Sequence, residues 1–327
     1  MKILIPAAGQ GLRLRPHTLN RPKPLLRLAG KTVLDHLMEP LLKLSPSELI
    51  LVWGHLGAVL IEHFRTNYDV PLTAVEQDRV LGLGYAVHLG LKDIDLDEDL
   101  LILLSDTVVI TDFAKFVSAG ENTMALRAVD DPRRFGVAQV DGTRITELVE
   151  KPAEPKSNLA VVGLYYFKHP RKLKAALELL LQSGTKTSGE MQLTDALASM
   201  IKQGDEFTAF EIDQWLDCGT RETMLETNGL MLKERRSETN HASASTIDEN
   251  TWIDPSAQIS DSTIGPDVTI YEKCQITSST LKNCIVGPGC EIIDSDLVDS
   301  IIGENVILSR QTGQVDIGDC AVSSATS

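Results

Sequence analysis

Over residues 1–220, short apolar runs alternate with stretches whose apolar residues recur three and four positions apart. Ile3-Leu4-Ile5, Leu49 to Trp53 and Leu100 to Leu104 are continuous apolar runs of strand length. Leu34 to Leu44, Ala58 to Tyr68, and residues 171–183, 191–203 and 221–236 carry the amphipathic helical period. Apolar strands separated by helices predict an α/β domain over 1–236, a Rossmann-like, mainly parallel sheet with helices on both faces. Residues 237–251 are Ser, Thr, Asn, Ala and acidic residues with almost no large apolar side chain, which predicts a linker.

From residue 252 to 327 the period changes. Apolar residues fall at Ile253, Ile259, Ile264, Ile270, Ile276, Leu281, Val286, Ile292, Leu297, Ile302 and Leu308, in steps of five or six. Ile264-Gly265, Val286-Gly287, Ile302-Gly303 and Ile317-Gly318 punctuate the ladder. Neither one helix face nor an alternating strand has that period, whereas the hexapeptide repeat of a parallel β-helix does, with one apolar residue per short strand pointing inward. The spacing predicts about four coils, ending in a frayed tail at Ser323 to Ser327. Cys284 and Cys290 fall near rung positions, and the expectation for Cys274, Cys284, Cys290 and Cys320 is small buried apolar packing.

Charge narrows the partners. Forty-six acidic against 31 basic residues give a net charge of −15. Such a surface repels nucleic-acid backbones and anionic membranes, so neither is an expected partner. A polyanionic ligand needs positive charge concentrated locally, and residues 1–34 supply it: they contain no Asp or Glu and carry Lys2, Arg13, Arg15, Arg21, Lys23, Arg27 and Lys31. No apolar run approaches a membrane span, and Met1 to Pro6 is too short an apolar start for a signal peptide. Five cysteines, an odd number without CxxC spacing, point to a reducing compartment, hence a cytoplasmic expectation. The seven histidines show no ligand spacing.

The first apolar run enters Ala7-Ala8-Gly9-Gln10-Gly11-Leu12-Arg13. Two glycines there let backbone N–H groups approach a phosphate, although a plain Gly-rich turn reads the same way. Gly-Lys-Ser/Thr is absent, which excludes a Walker A loop; Pro16, Pro22 and Pro24 keep the segment extended, which excludes a dinucleotide fingerprint. Gln77, ahead of Gly82-Leu83-Gly84, can pair with a pyrimidine edge or be a solvated turn residue. Asp106 follows an apolar run, where open α/β sheets bind ligands, or else caps a helix. Asp217 occupies a similar place in Trp215-Leu216-Asp217. Glu150-Lys151 offers a hydroxyl acceptor beside a phosphate-binding cation, or a solvated ion pair. Thr194-Asp195 serves equally as a helix cap.

The longer string Gly9-Gln10-Gly11-Leu12-Arg13-Leu14-Arg15-Pro16-His17-Thr18, then Arg21-Pro22-Lys23-Pro24-Leu25-Leu26 and Leu28-Ala29-Gly30-Lys31, resembles the signature of the sugar-1-phosphate nucleotidyltransferases. Leu12 departs from it, standing where most members have Thr and removing one hydroxyl contact to the nucleotide. Four later segments also match: Gly82 to Val87, Phe135-Gly136-Val137 with Val149 to Pro152, Val162 to Tyr165, and Glu190 to Asp195. The resemblance implies Mg²⁺-dependent transfer of a nucleotidyl group from UTP or dTTP to a sugar 1-phosphate, preferably glucose 1-phosphate. It implies that Arg13 meets the outgoing pyrophosphate and Lys23 the phosphates near the reacting centre. Ala8, Gly9 and Gly11 would cradle the nucleotide, with Gln77 and Gly82 at the base. Asp106 and Asp217 would hold Mg²⁺, and Gly136, Glu150, Lys151 and Gly163 the sugar phosphate. A resemblance to left-handed hexapeptide-repeat β-helices gives the C-terminal handedness and a structural or assembly role, with a homo-oligomer expected. Two other readings stay open: a non-catalytic nucleotide-sugar-binding regulator, and a bifunctional enzyme with acyltransferase activity in the repeat. Against the second, residues 252–327 contain no histidine.

Overall fold

The computed structural model describes residues 1–233 and 245–324. They form two compact units: Met1–Gly9, Leu37–Ser105 and Val109–Trp215 make the first, and Gln10–His36, Asp106–Val108 and Leu216–Ser327 the second. The glycine-containing segment from Gln10 therefore groups with the repeat and not with the sheet whose first strand leads into it.

The first unit is built on nine strands: β1 (Lys2–Ala7), β2 (Glu48–Trp53), β3 (Leu72–Glu76), β4 (Leu100–Leu103), β5 (Asn122–Ala128), β6 (Gly136–Asp141), β7 (Arg144–Glu150), β8 (Leu159–Phe167) and β9 (Thr208–Glu211). Their order is β3-β2-β1-β4-β8-β5-β9-β7-β6. The run from β3 to β4 is parallel, as the apolar runs predict, and β9 joins β5 in parallel. The remaining pairings are antiparallel, so the sheet is mixed where the sequence predicts a mainly parallel one. The cause is local. Gly142-Thr143 closes a two-residue hairpin between β6 and β7, with Gly142 at φ 59°, and a hairpin can join only antiparallel strands. Leu4, Ile50, Val52, Leu100, Ile102, Met124 and Phe167 supply the sheet's share of the core. Of the helices α1 (Val33–Leu42), α2 (Gly57–Asn67), α3 (Leu83–Gly90), α4 (Phe113–Ser118), α5 (Pro170–Ser183) and α6 (Leu193–Lys202), three join them: α3 through Tyr85 and Val87, α5 through Leu173 and Leu177, and α6 through Leu197 and Met200. In α5, Pro170 occupies the first turn and Gly184 ends the helix in the left-handed region, the pairing of start and stop residues that costs a helix least.

In the second unit the repeat forms a parallel β-helix of three faces. Thr246, Thr263, Thr280, Asp296 and Thr312 stack in register on one face, so each coil takes 16 or 17 residues. Residues 251–253, 268–270, 284–286, 300–302 and 316–317 make the second face, and 258–260, 275–277, 291–293, 307–309 and 322–324 the third. Ile264, Ile270, Ile276, Leu281, Val286, Ile292, Leu297, Ile302 and Leu308 are all buried along its axis, as the ladder of fives and sixes predicts. There are five coils where the spacing predicts about four. The first begins inside the expected linker, because Thr246-Ile247 already pairs with Thr263-Ile264; residues 237–244 lie outside the described residues. Ser323-Ser324 of the expected frayed tail pairs with Leu308-Ser309, which satisfies its backbone; residues 325–327 lie outside the described residues. A Cβ on Gly287 would stand 2.6 Å from the Gly303 carbonyl oxygen, so this corner takes glycine because adjacent coils touch there. Cys274, Cys284 and Cys290 are buried as expected, whereas Cys320 is exposed, standing at the corner of the last coil.

One corner carries a serine ladder. Ser262 Oγ accepts from Ser279 N, Ser279 Oγ from Ser295 N and Ser295 Oγ from Gln311 N, each at 3.1 Å. Each hydroxyl also donates to the carbonyl two residues before it, Ser279 to Thr277 O at 2.8 Å. Removing the Ser279 hydroxyl strands the buried Ser295 N–H, so Ser279→Ala is expected to cost about 1–3 kcal/mol. Chemical denaturation followed at the β-helix signal checks it; a variant matching the parent midpoint would show the ladder to be energetically idle.

Candidate active site

In the first unit, Ala8, Gly9 and Gln77 of the expected nucleotide-binding residues lie at the carboxyl ends of the parallel strands, whereas Gly11 falls in the second unit. β1 runs out into Ala8, where a Cβ on Gly54, just past β2, would lie 2.9 Å from the Ala8 carbonyl. Gln77, just past β3, donates its backbone N–H to Trp53 O at 2.8 Å. Ser105, just past β4, donates its hydroxyl to Pro6 O at 2.9 Å. Four neighbouring strand ends thus meet at one edge, the place where open α/β sheets take ligands. Gly9 is exposed there, and a Cβ on it would meet nothing within 4 Å, so neither packing nor a left-handed backbone demands glycine at this position. The Gln77 amide donates to Arg79 O at 2.9 Å. Gly82 caps α3 at φ 107°, and a Cβ there would lie 2.7 Å from Met191 O; the fold itself requires this glycine.

A second group in the same unit collects around Gly136, at the start of β6. A Cβ on it would stand 3.1 Å from Thr194 Oγ1 and 3.3 Å from Glu150 Oε2. Glu150 ends β7 with its side chain only 9% exposed, 3.5 Å from the Nζ of Lys151, whose side chain is 43% exposed, so the carboxylate is the buried half of the pair. Lys151 is held at φ 44° and donates its N–H to Phe135 O. Burial, and then the Glu150 carboxylate, push the Tyr165 phenol upward and keep it protonated. Gln192, not Thr194 or Asp195, is the N-cap of α6; the latter two lie in its first turn. The buried Asp195 Oδ2 and Trp215 Nε1 have no hydrogen-bond partner among the described residues, leaving one acceptor and one donor unsatisfied. Gly163 lies in β8 at φ 95° and accepts from Leu104 N at 3.0 Å; a Cβ there would collide with the Leu104 side chain.

The second unit holds the charged residues together. Cys218 N donates to Asp106 O at 3.3 Å and Thr107 Oγ1 to Leu216 O at 2.9 Å, which fixes the two aspartate-bearing segments side by side. A strand, Thr107–Ile110, follows Asp106, so Asp106 caps no helix. Lys23 Nζ, only 12% exposed, donates to Asp106 Oδ2 at 2.9 Å. Asp217 Oδ1 accepts from Gly219 N at 2.9 Å. A Cβ on Gly219 would stand 2.8 Å from Asp217 Oδ1 and 3.2 Å from Arg13 Nη2, which places carboxylate and guanidinium on either side of it. Burial pushes the Cys218 thiol up to about 12, with Asp217 adding to the rise and Lys23 opposing it. One buried sulfur thus feels Asp217, Lys23 and Asp106 together.

The cationic field of residues 1–34 is thinner than the sequence suggests. Lys2 is paired with Glu48, Arg21 with Glu304 and Arg27 with Glu272. Arg13 and Arg15 are exposed and make no ion pair among the described residues. Sequence reasoning missed Thr227 and Asn228. Thr227 Oγ1 donates to Asp217 O at 2.9 Å, and the fully buried Asn228 Oδ1 accepts from Ala29 N at 2.9 Å. Their signal is a polar Thr-Asn-Gly run on the buried side of a helix, α7 (Arg221–Lys233).

Comparisons with known proteins give the family. The family model described as nucleotidyl transferase matches residues 2–234. A low-salt glycan biosynthesis nucleotidyltransferase of Haloferax volcanii is 32% identical over 245 residues, 72% of this chain and 67% of that protein. A UTP–glucose-1-phosphate uridylyltransferase of the same organism is 33% identical over 67% of this chain and 91% of its own length. A glucose-1-phosphate thymidylyltransferase of Streptomyces antibioticus is 29% identical over 95% of this chain and 94% of its own. Among solved structures, a UDP-glucose pyrophosphorylase complexed with UDP-glucose superposes with a TM-score of 0.63 at 26% identity, over 72% of this chain and 99% of that one.

Proposed function

The chain belongs to the nucleotidyl transferase family, and from that premise we propose that it joins UTP or dTTP to a sugar 1-phosphate, glucose 1-phosphate by preference, releasing pyrophosphate. The grouping of Lys23, Asp106 and Asp217 around Cys218, with Arg13 near Asp217 at Gly219, carries the reading. An oxygen of the sugar phosphate attacks the α-phosphorus in line, the α–β bridging bond breaks, and its electron pair leaves on pyrophosphate. The attacking oxygen is already anionic, so no enzyme nucleophile is required; alignment and neutralisation of charge do the chemistry. Arg13 and Lys23 supply that neutralisation, Arg13 toward the departing pyrophosphate and Lys23 toward the α-phosphate. Glu150 accepts from sugar hydroxyls, Lys151 meets the sugar phosphate, and Gly136 leaves room for the ring; Gly163 supports this group through Leu104. Ala8, Gly9 and Gly11 present backbone to the nucleotide, and Gln77, beside Gly82, pairs with the pyrimidine edge.

Asp106 and Asp217 suit Mg²⁺: two hard carboxylates next to a phosphate site are the donor set that ion takes, its remaining positions going to water and substrate oxygens. The ion would screen phosphate charge. Among the described residues no group of three or more His, Cys, Asp or Glu side chains gathers as a metal cage. Relatives named for uridylyl and thymidylyl transfer both resemble the chain, so the base stays UTP or dTTP. A non-catalytic regulator would be expected to lose Arg13, Lys23 or one of the two aspartates, and all four are present, which favours the catalytic reading over the regulatory one.

Pyrophosphate release measured with Mg²⁺ across a grid of nucleoside triphosphates and sugar 1-phosphates tests the proposal. Turnover confined to UTP or dTTP with glucose 1-phosphate is expected. Turnover only with ATP or GTP would overturn the role of Gln77, and silence of folded protein across the grid would overturn the substrate assignment.

A further inference from the structure

Three basic side chains of segment 10–36 are held by carboxylates of the β-helix. Arg21 Nη2 is paired with Glu304 Oε1. Arg27 Nη1 donates to Glu272 Oε1 and Oε2 at 2.9 and 3.1 Å, with its guanidinium 5.2 Å from the centre of the Tyr271 ring. The ring of His17, itself buried, places Nε2 2.6 Å from Asp316 Oδ1. A fourth tie is neutral and buried: Asn228 Oδ1 accepts from Ala29 N and, at 2.6 Å, from Thr269 Oγ1, while its Nδ2 donates to Asp267 O at 3.2 Å. Asn228 so bonds the Ala29-Gly30 turn on one side and the second coil on the other.

We infer that the β-helix positions the phosphate-binding loop, with Glu272, Glu304, Asp316 and Asn228 as the positioning residues for Arg13 and Lys23. This rests on the reading that those two side chains meet the triphosphate. Two of the ties sit next to the chemistry in the chain: His17 is four residues beyond Arg13, and Arg21 two before Lys23. Residues 10–26 carry two single-turn 3-10 segments, Leu12–Leu14 and Lys23–Leu25, and strand pairing begins only at Arg27–Leu28, which pairs with Lys31–Thr32. Fixing such backbone costs about 1–2 kcal/mol per residue, and the loop's own hydrogen bonds cannot offset that. Single exposed ion pairs contribute little, but these are partly buried and spring from one rigid stack, so they order the loop as a set. Leu26, Ile285 and Ile301 line the same seam with Arg21, Arg27 and Glu304 and lower the local dielectric around both arginine pairs.

The test is the full chain carrying Glu272→Gln with Glu304→Gln, compared with the charge exchange Arg21→Glu with Glu304→Arg. Amide hydrogen exchange without substrate is followed over residues 10–27 and over the coils at 246–309. The double variant is expected to exchange about tenfold faster or more in 10–27, with the coils unchanged. The KM for the triphosphate should rise about tenfold and that for the sugar 1-phosphate stay within about twofold, a split that a purely stabilising role would not produce. The charge exchange should return both readouts most of the way to the parent values. Parent-like exchange in 10–27, exchange raised equally in the coils, or loosened exchange with an unmoved triphosphate KM would each overturn the inference. Exchange needs no turnover, so it judges the loop's support even where the triphosphate assignment fails.

Discussion

Lys23→Met is expected to lower kcat for nucleotidyl transfer about a thousandfold while the protein stays folded. Lys23 Nζ lies 2.9 Å from Asp106 Oδ2, and its side chain is only 12% exposed, so the ammonium is aimed and held before substrate arrives. Methionine keeps the length and the apolar stem contacts and deletes the charge. The partner left behind, Asp106, is 47% exposed and can be solvated, so the fold loses little. Arginine should not rescue, because its planar fork cannot take the place of a compact ammonium. Initial rates of pyrophosphate release and a thermal melt of the same preparation decide the matter. A loss below about tenfold would remove Lys23 from the reacting centre.

Asp217→Asn is expected to lower kcat by about two to three orders of magnitude at fixed Mg²⁺ and to raise the Mg²⁺ concentration needed for half-maximal rate. Asparagine retains an acceptor for the Gly219 N–H and is isosteric, so the turn that follows persists. What disappears is the negative charge near Arg13, one of the two near Cys218. A titration of rate against Mg²⁺ separates the outcomes. Unchanged turnover and an unchanged half-saturation point would sink the role of Asp217 as a cation ligand.

The sequence displayed its core well and its tertiary electrostatics poorly, for physical reasons. Ile3-Leu4-Ile5, Leu49 to Val52 and Leu100 to Leu103 are buried on both faces, and a strand buried on both faces must be apolar throughout. The β-helix ladder was legible for a similar reason, since one inward residue per short strand sets a period no other element shares. The mixed half of the sheet was harder, although Asp141-Gly142 between alternating segments is a hairpin signal that could have been read. So could the serine ladder, whose members recur with the coil length. The field of Arg21 and Arg27 could not, because Glu304 and Glu272 lie more than two hundred residues along the chain. Of the charged centre, motif matching named Arg13, Lys23, Asp106 and Asp217. Spacing in one dimension could not show that Cys218, Gly219 and Thr227 bring them together.

The corner that bears Glu272 and Glu304 has a further consequence. The two carboxylates occupy equivalent places two coils apart, with Pro288 between them. Neighbouring coils are spaced like hydrogen-bonded strands, so the pair is separated by roughly 10 Å along the axis. The stack is therefore a ruler with two marks, read by Arg27 and Arg21. A solenoid ordinarily tolerates gain or loss of a repeat anywhere along its length. Here an extra coil inserted between residues 272 and 304 would carry one mark about 5 Å out of reach, whereas a coil added after Ser324 would leave both marks where they are. Growth of this domain by duplication is thus excluded between the two marks.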